Sequence, residues 1–293
     1  MADAPPGWRV WAGFAAMGVG MFMAILDIQI VVTSLPAIQA AIGIDPDQMV
    51  WIQTSYLIAE IVAIPLTGFL TRVLTMRWLF VATLAVFTAA SAGCGASGSF
   101  ASLIAWRVVQ GFAGGIMIPA VFAAVFRLFP GPGQSAATTL AGVLAVLAPT
   151  LGPILGGWIT DNLGWRWLFY VNLAPGAVAL SVGWLLLPRD APDQAHGRRI
   201  DWVSLILLAA GLALLELGLK AAPKEGWASL AALGRLGLSA LLLAAFALRT
   251  LRRDLPLVDL RLFGGRTFAA GCGLSFATGM GLFGMVYLMP VHL

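Results

Sequence analysis

Residues 11–34 read WAGFAAMGVGMFMAILDIQIVVTS, a run with a single charged residue, Asp27. A helix crossing a bilayer needs about 20 mostly apolar residues, so this run is long enough to span. A charge inside such a run has to be satisfied within the protein, because lipid offers it nothing. Outward from this stretch, eight further runs of the same kind follow, at 49–70, 78–96, 102–128, 136–158, 167–187, 202–219, 229–250 and 268–290. Of the 293 residues, 60% are apolar and 10% are charged, against roughly 25% charged in an ordinary soluble domain. Mean hydropathy is +0.93. That composition cannot supply a polar surface for a soluble fold, and it reads as an all-α polytopic membrane protein with about nine transmembrane helices.

The net charge is only +4, and most of the chain carries no charge, which argues against a nucleic-acid binder. Orientation follows from where Lys and Arg fall. With the N-terminus in the cytoplasm, twelve of the 17 basic residues lie in cytoplasmic segments, four lie outside and Arg107 lies within a span. Three of the four outer charges, Lys220, Lys224 and Arg235, belong to the loop predicted between the seventh and eighth spans. The tryptophans cluster at predicted span ends, as expected of rings with an apolar body and an N–H that seeks the headgroups. Asp45-Pro46-Asp47-Gln48 predicts the start of the second span, with an N-cap, a proline at the first helical position and a Gln three residues after the cap. Pro130-Gly131-Pro132-Gly133 predicts a tight turn between the fourth and fifth spans.

With Arg127, Arg235 and Arg249 assigned to the flanking segments, four charges fall within the spans: Asp27, Glu60, Arg107 and Glu216. Asp27 and Arg107 lie at similar depths, given a rise of roughly 1.5 Å per residue. Two readings of Asp27 stand side by side: a fixed structural pair with Arg107, or a carrier of protons through a transport cycle. Glu60 has no cation on its level and reads as functional. Burying an ionised carboxylate is costly, and a bound proton relieves that cost. Glu216 is placed about one turn from the outer end of its span and reads as interfacial. The fifth span holds Gly142, Pro149, Gly152, Pro153, Gly156 and Gly157. Gly152 and Gly156 stand one turn apart on one face, as do Gly111 and Gly115 in the fourth span, and both pairs suit close helix packing. Two prolines add bends to the fifth span.

Little enzyme chemistry is legible. The two histidines are His196, in a charged loop, and His292. No HExxH, CxxC, P-loop or GxSxG occurs, and Cys94 and Cys272 lie in apolar runs. Neither a metal site nor a cofactor is expected, and no catalytic residue is assigned.

Together these motifs resemble the Major Facilitator Superfamily, and within it the fourteen-span drug:proton antiporters of the EmrB/QacA type. LDIQIVVTSLP (26–36) is similar to that family's first-span signature, with Asp27 in its acidic position. GFLTRVLTMRW (68–78) resembles its cytoplasmic gating loop between the second and third spans, represented here by Gly68, Arg72 and Arg77. It departs from the family pattern at Thr71, Leu74 and Met76. LIAWRVVQGFAGG (103–115) resembles the fourth-span motif, with Arg107, Gln110 and Gly111 in register. GVLAVLAPTLGPILGG (142–157) resembles the fifth-span antiporter motif, and WRWLFYVNLAPG (165–176) and LVDLRLFGGRTF (257–268) match further signatures.

The resemblance implies an incomplete major facilitator fold with its N-terminus in the cytoplasm. Residues 1–187 would form the N-terminal six-helix bundle and 188–201 a cytoplasmic linker. Residues 202–250 would be an inserted helix pair, 251–267 a second cytoplasmic linker, and 268–293 the first helix of a truncated C-terminal bundle. It further implies proton-coupled efflux of amphipathic drugs or toxic organic compounds across the bacterial inner membrane. Asp27, Glu60 and Arg107 would serve coupling, and a periplasmic adaptor and an outer-membrane channel would be partners. The alternatives are a non-transporting fragment or regulatory partner of an intact pump, and a proton-driven importer.

Overall fold

The computed structural model describes residues 7–131, 133–189, 201–253, 256 and 258–292; the side chains of Arg72 and of 282–292 are outside that description. Most of the 188–201 linker, with His196, therefore lies outside the described residues, as do parts of the 251–267 linker. The described residues form helices and connecting turns, with no strand among them. Among the described residues, eight spans are long and apolar enough to cross a membrane. The chain divides into two compact units, Met1–Arg198 and Arg199–Leu293.

The first unit opens with α1 (Trp8–Val32), followed by the short α2 (Leu35–Ile42) and then α3 (Pro46–Val73), α4 (Met76–Ala96), α5 (Phe100–Leu128) and α6 (Gly133–Leu163). The sixth predicted span is broken into α7 (Trp167–Tyr170) and α8 (Leu173–Leu186). Helix α1 is central, packing on α5, α6 and α8, while α3 pairs with α5 and α4 packs on α5 and α8. Its core comes from Met17, Met21, Ile30 and Phe14 of α1, meeting Phe80 and Phe87 of α4 and Met117 of α5. In lipid every backbone polar group must be satisfied internally, and continuous helices do that.

Local chemistry sets the boundaries. The Asp45 N–H donates to Gln48 Oε1 at 3.2 Å and Pro46 takes the first helical position of α3. Gly131, at φ +89°, makes the turn into α6 in a conformation that side chains disfavour. The sequence reading did not foresee α2. It ends on Gly43 at φ +72°, a left-handed C-cap.

The second unit is a helical hairpin of α9 (Trp202–Glu225) and α10 (Leu230–Leu251), then a 3₁₀ turn at Leu260–Gly264 and α11 (Arg266–His292). Close approach in the hairpin is permitted by Gly211 against Leu243 and Gly218 against Leu236, and the Ser239 hydroxyl donates to the Gly211 carbonyl at 2.7 Å. Each end is clasped. At one end Arg235 donates to both oxygens of Glu225, at 3.0 and 2.9 Å. At the other, Asp201 caps α9 and accepts from Arg249 at 3.0 and 3.1 Å.

Helix α9 corrects the predicted seventh span, which stopped at residue 219. It runs on to Glu225, so Lys220 and Lys224 belong to the helix and Glu216 lies more than two turns from its end. The sequence reading let the charges mark a loop. A lysine stem, however, lies along apolar surface while its ammonium reaches for water, and the backbone is better satisfied by continuing the helix.

Candidate functional site

The polar residues of the first unit converge on Asp27, which is fully buried in α1. Arg107 of α5, also fully buried, donates from Nη1 to Asp27 Oδ2. The other carboxylate oxygen accepts from Gln110 Nε2 and from Asn172 Nδ2, both at 2.9 Å. Three segments, α1, α5 and the break between α7 and α8, thus meet on one carboxylate. The Ser91 hydroxyl of α4 extends the network, accepting from Gln110 at 2.8 Å and from Asn172 at 3.4 Å.

Arg107 is positioned with equal care. Its Nε donates to the Ile52 carbonyl at 3.2 Å and its Nη1 also to Gln110 Oε1 at 2.7 Å. Its guanidinium carbon lies 4.2 Å from the centre of the Tyr56 ring, a cation–π stack in a desolvated place. Tyr56 is itself fixed, its hydroxyl donating to the Ala24 carbonyl at 3.1 Å. Among the described residues, Arg107 Nη2 is buried with no hydrogen-bond partner, as are both amide atoms of Gln53 in α3.

Helices α3 and α5 run in parallel register. Ile52 meets Arg107 through its carbonyl, and a Cβ at Gly111 would collide with the Tyr56 backbone and one at Gly115 with the Glu60 backbone. These contacts advance by one turn on both helices, so Glu60 lies two turns, about 12 Å, along the same seam from Ile52. The Glu60 side chain is 7% exposed. Its carboxylate makes no hydrogen bond or ion pair among the described residues.

Helix α6 brings some of its glycines and prolines to α1. A Cβ at Gly152 would strike Gln29, and one at Gly156 would strike Ile30 and Thr33. The Ser34 hydroxyl also donates to the Gly156 carbonyl, at 3.3 Å. Pro149 is buried and Pro153 partly so. Gly142 and Gly157 have open space around them. The six residues thus divide between a packing face and an open face.

Of the loop trio, Gly68 is exposed, with open space where a Cβ would stand, and the Arg72 side chain lies outside the described residues. Arg77 is buried at the start of α4, its guanidinium carbon 4.4 Å from the centre of the Trp184 ring in α8. No group of His, Cys, Asp and Glu able to hold a metal occurs among the described residues.

Sequence reasoning missed Ser91, Asn172 and Tyr56 as members of the site. Asn172 could have been flagged: it is an amide inside an otherwise apolar run. What it touches depends on the break between α7 and α8.

The sequence profile of the Major Facilitator Superfamily matches residues 17–292. Over 291 residues the chain is 38% identical to the colistin resistance protein EmrB of Acinetobacter baumannii, covering 98% of this chain and 56% of that protein. It is 34% identical over 276 residues to the multidrug export protein EmrB of Escherichia coli K12, covering 94% and 54%. The chain therefore spans about half the length of the curated relatives it matches. Among solved structures, the human organic anion transporter MFSD10 superposes with a TM-score of 0.55 at 22% identity, over 72% of this chain and 55% of that one, which speaks to the fold alone. The chain is a multi-pass protein of the bacterial inner membrane and belongs to the Major Facilitator Superfamily, a family of secondary transporters rather than enzymes.

Proposed function

We propose that the chain carries the proton-coupling half of an exporter, which moves amphipathic drugs or toxic organic compounds out of the cell in exchange for protons. The observation that carries this reading is Glu60, a buried carboxylate in a membrane-spanning helix that makes no hydrogen bond or ion pair among the described residues. It shares a seam with the Asp27–Arg107 pair. Burying an ionised carboxylate without a hydrogen-bonding partner is costly, so proton binding and release change its energy strongly. Asp27 differs, because its charge is already met by Arg107 and two amides. In this reading Glu60 takes the proton from outside, and Arg107 responds by shifting its hold on Asp27.

The direction of transport rests on two supports. The relatives include a protein named for multidrug export. Helix α6 lays Gly152 and Gly156 tightly on α1 and carries two internal prolines. The same proposal assigns 1–187 as the N-terminal six-helix bundle, 202–250 as an inserted pair and 268–293 as the start of a second bundle. It assigns Gly68, Arg72 and Arg77 to cytoplasmic gating. A periplasmic adaptor and an outer-membrane channel are proposed partners of the complete pump.

The test uses inverted membrane vesicles holding the full product of the gene, with ethidium as the amphipathic probe. An acid-inside gradient should drive ethidium accumulation, and an ionophore that collapses the gradient should abolish it. Accumulation that ignores the gradient would rule the coupling out.

A further inference from the structure

The Asp201 end of the α9–α10 hairpin holds more cationic charge than the hairpin uses. Both carboxylate oxygens of Asp201 are occupied: Arg249 reaches each, and Ser204 donates its N–H at 3.3 Å and its hydroxyl at 2.9 Å. Arg253 approaches the same carboxylate at 3.4 Å with its side chain 53% exposed. Arg252 is exposed and makes no side-chain hydrogen bond or ion pair among the described residues. Two guanidinium groups thus share a single carboxylate that Arg249 already neutralises, and Arg252 adds a third beside them.

Those three arginines line a surface cavity of about 400 Å³ whose remaining wall is Ala245 and Leu248. Leu248 and Leu241, two turns apart on α10, are 60% and 65% exposed. Apolar surface therefore continues from the cavity toward the middle of a helix long enough to cross the membrane. The cations stand at the level where lipid headgroups lie, and a guanidinium fork suits phosphate oxygens.

We propose that this cavity docks an anionic phospholipid. Its phosphate lies between Arg252 and Arg253, and its acyl chains run along Leu248 and Leu241. Arg249, locked by Asp201, forms the fixed wall. A free phosphate ion would use the cations and leave the leucine stripe idle, whereas a lipid uses both. This inference stands independently of the direction or coupling of transport.

The test is lipid retention by the purified whole chain, measured by native mass spectrometry. Delipidated protein in neutral detergent receives equal amounts of phosphatidylglycerol and phosphatidylcholine. Wild type should retain the anionic lipid in preference, and Arg252→Gln/Arg253→Gln should lower that retention about tenfold. The single variant Arg252→Gln should lower it by a smaller factor. Arg235→Gln, at the far end of the hairpin, should leave it unchanged. Unaltered thermal unfolding shows that the fold is intact. Equal anionic-lipid retention by wild type and both arginine variants would overturn the proposal. So would displacement of phosphatidylglycerol by millimolar inorganic phosphate, which would mark a free-anion site.

Discussion

Asp27 of α1 and Arg107 of α5 form an ion pair with both side chains fully buried. Two amides and a serine hydroxyl from three further positions close the network around it. Removing one partner leaves the other charge uncompensated in a place without water. Asp27→Asn and Arg107→Ala should each destabilise the first unit by about 3–5 kcal/mol. Denaturant unfolding in detergent micelles measures it. A loss below about 1 kcal/mol would mean that the pair is hydrated or readily replaced.

Glu60 makes the opposite prediction. It gives up no partner when its charge is removed, so Glu60→Gln should change unfolding stability by less than about 1 kcal/mol. Gradient-driven transport should nevertheless be lost. Stability and coupling are thus separable at Glu60 and inseparable at Asp27.

The α3–α5 seam depends on absent side chains. At Gly111 a Cβ meets the Tyr56 backbone, which cannot step aside as a flexible side chain would. Gly111→Ala should cost about 1–3 kcal/mol. Gly142→Ala and Gly157→Ala, with open space around both positions, should stay within about 1 kcal/mol and favour the helix. Thermal melting of the three variants side by side checks the contrast.

The hairpin clasp carries a pH signature. Hydrogen bonding from Arg249 holds the Asp201 carboxyl down at about 2, against the opposing effect of its partial burial, and the Ser204 hydroxyl and N–H lower it further. Its folded value lies below the ordinary 3.8. Its stabilising contribution is therefore full above that ordinary value and is lost as pH falls toward about 2. Asp201→Asn should cost about 1–2 kcal/mol at neutral pH through the weakened cap and clasp. It should also flatten the acid limb between those two values, as followed by acid unfolding in detergent micelles.

Much of this was legible from residue pattern. The spans were readable because apolar length is a one-dimensional signal, and the start of α3 because Asp45, Pro46 and Gln48 act within one turn. Similar depth along two helices made a pair with Arg107 one of two readings of Asp27, and the structure contains that pair. Ser91 and Asn172 joined the site only in three dimensions: α4 and the break after α7 place them, and neither contact is local in sequence. Spacing put Gly152 and Gly156 of α6 on one packing face, but not which helix that face meets; it lies on α1 and leaves Gly157 open. The end of α9 was misplaced because Lys220 and Lys224 resemble a loop to any reading that counts charge alone.

The central claim is that buried carboxylates of the first unit couple transport to protons. Its most direct test is ethidium movement in proteoliposomes holding the full gene product, under an imposed pH gradient. Wild type is compared with Glu60→Gln and with Asp27→Asn/Glu60→Gln. The account predicts that wild type accumulates ethidium against its concentration gradient, while both variants only equilibrate it. Accumulation by the double variant equal to that of wild type would contradict it.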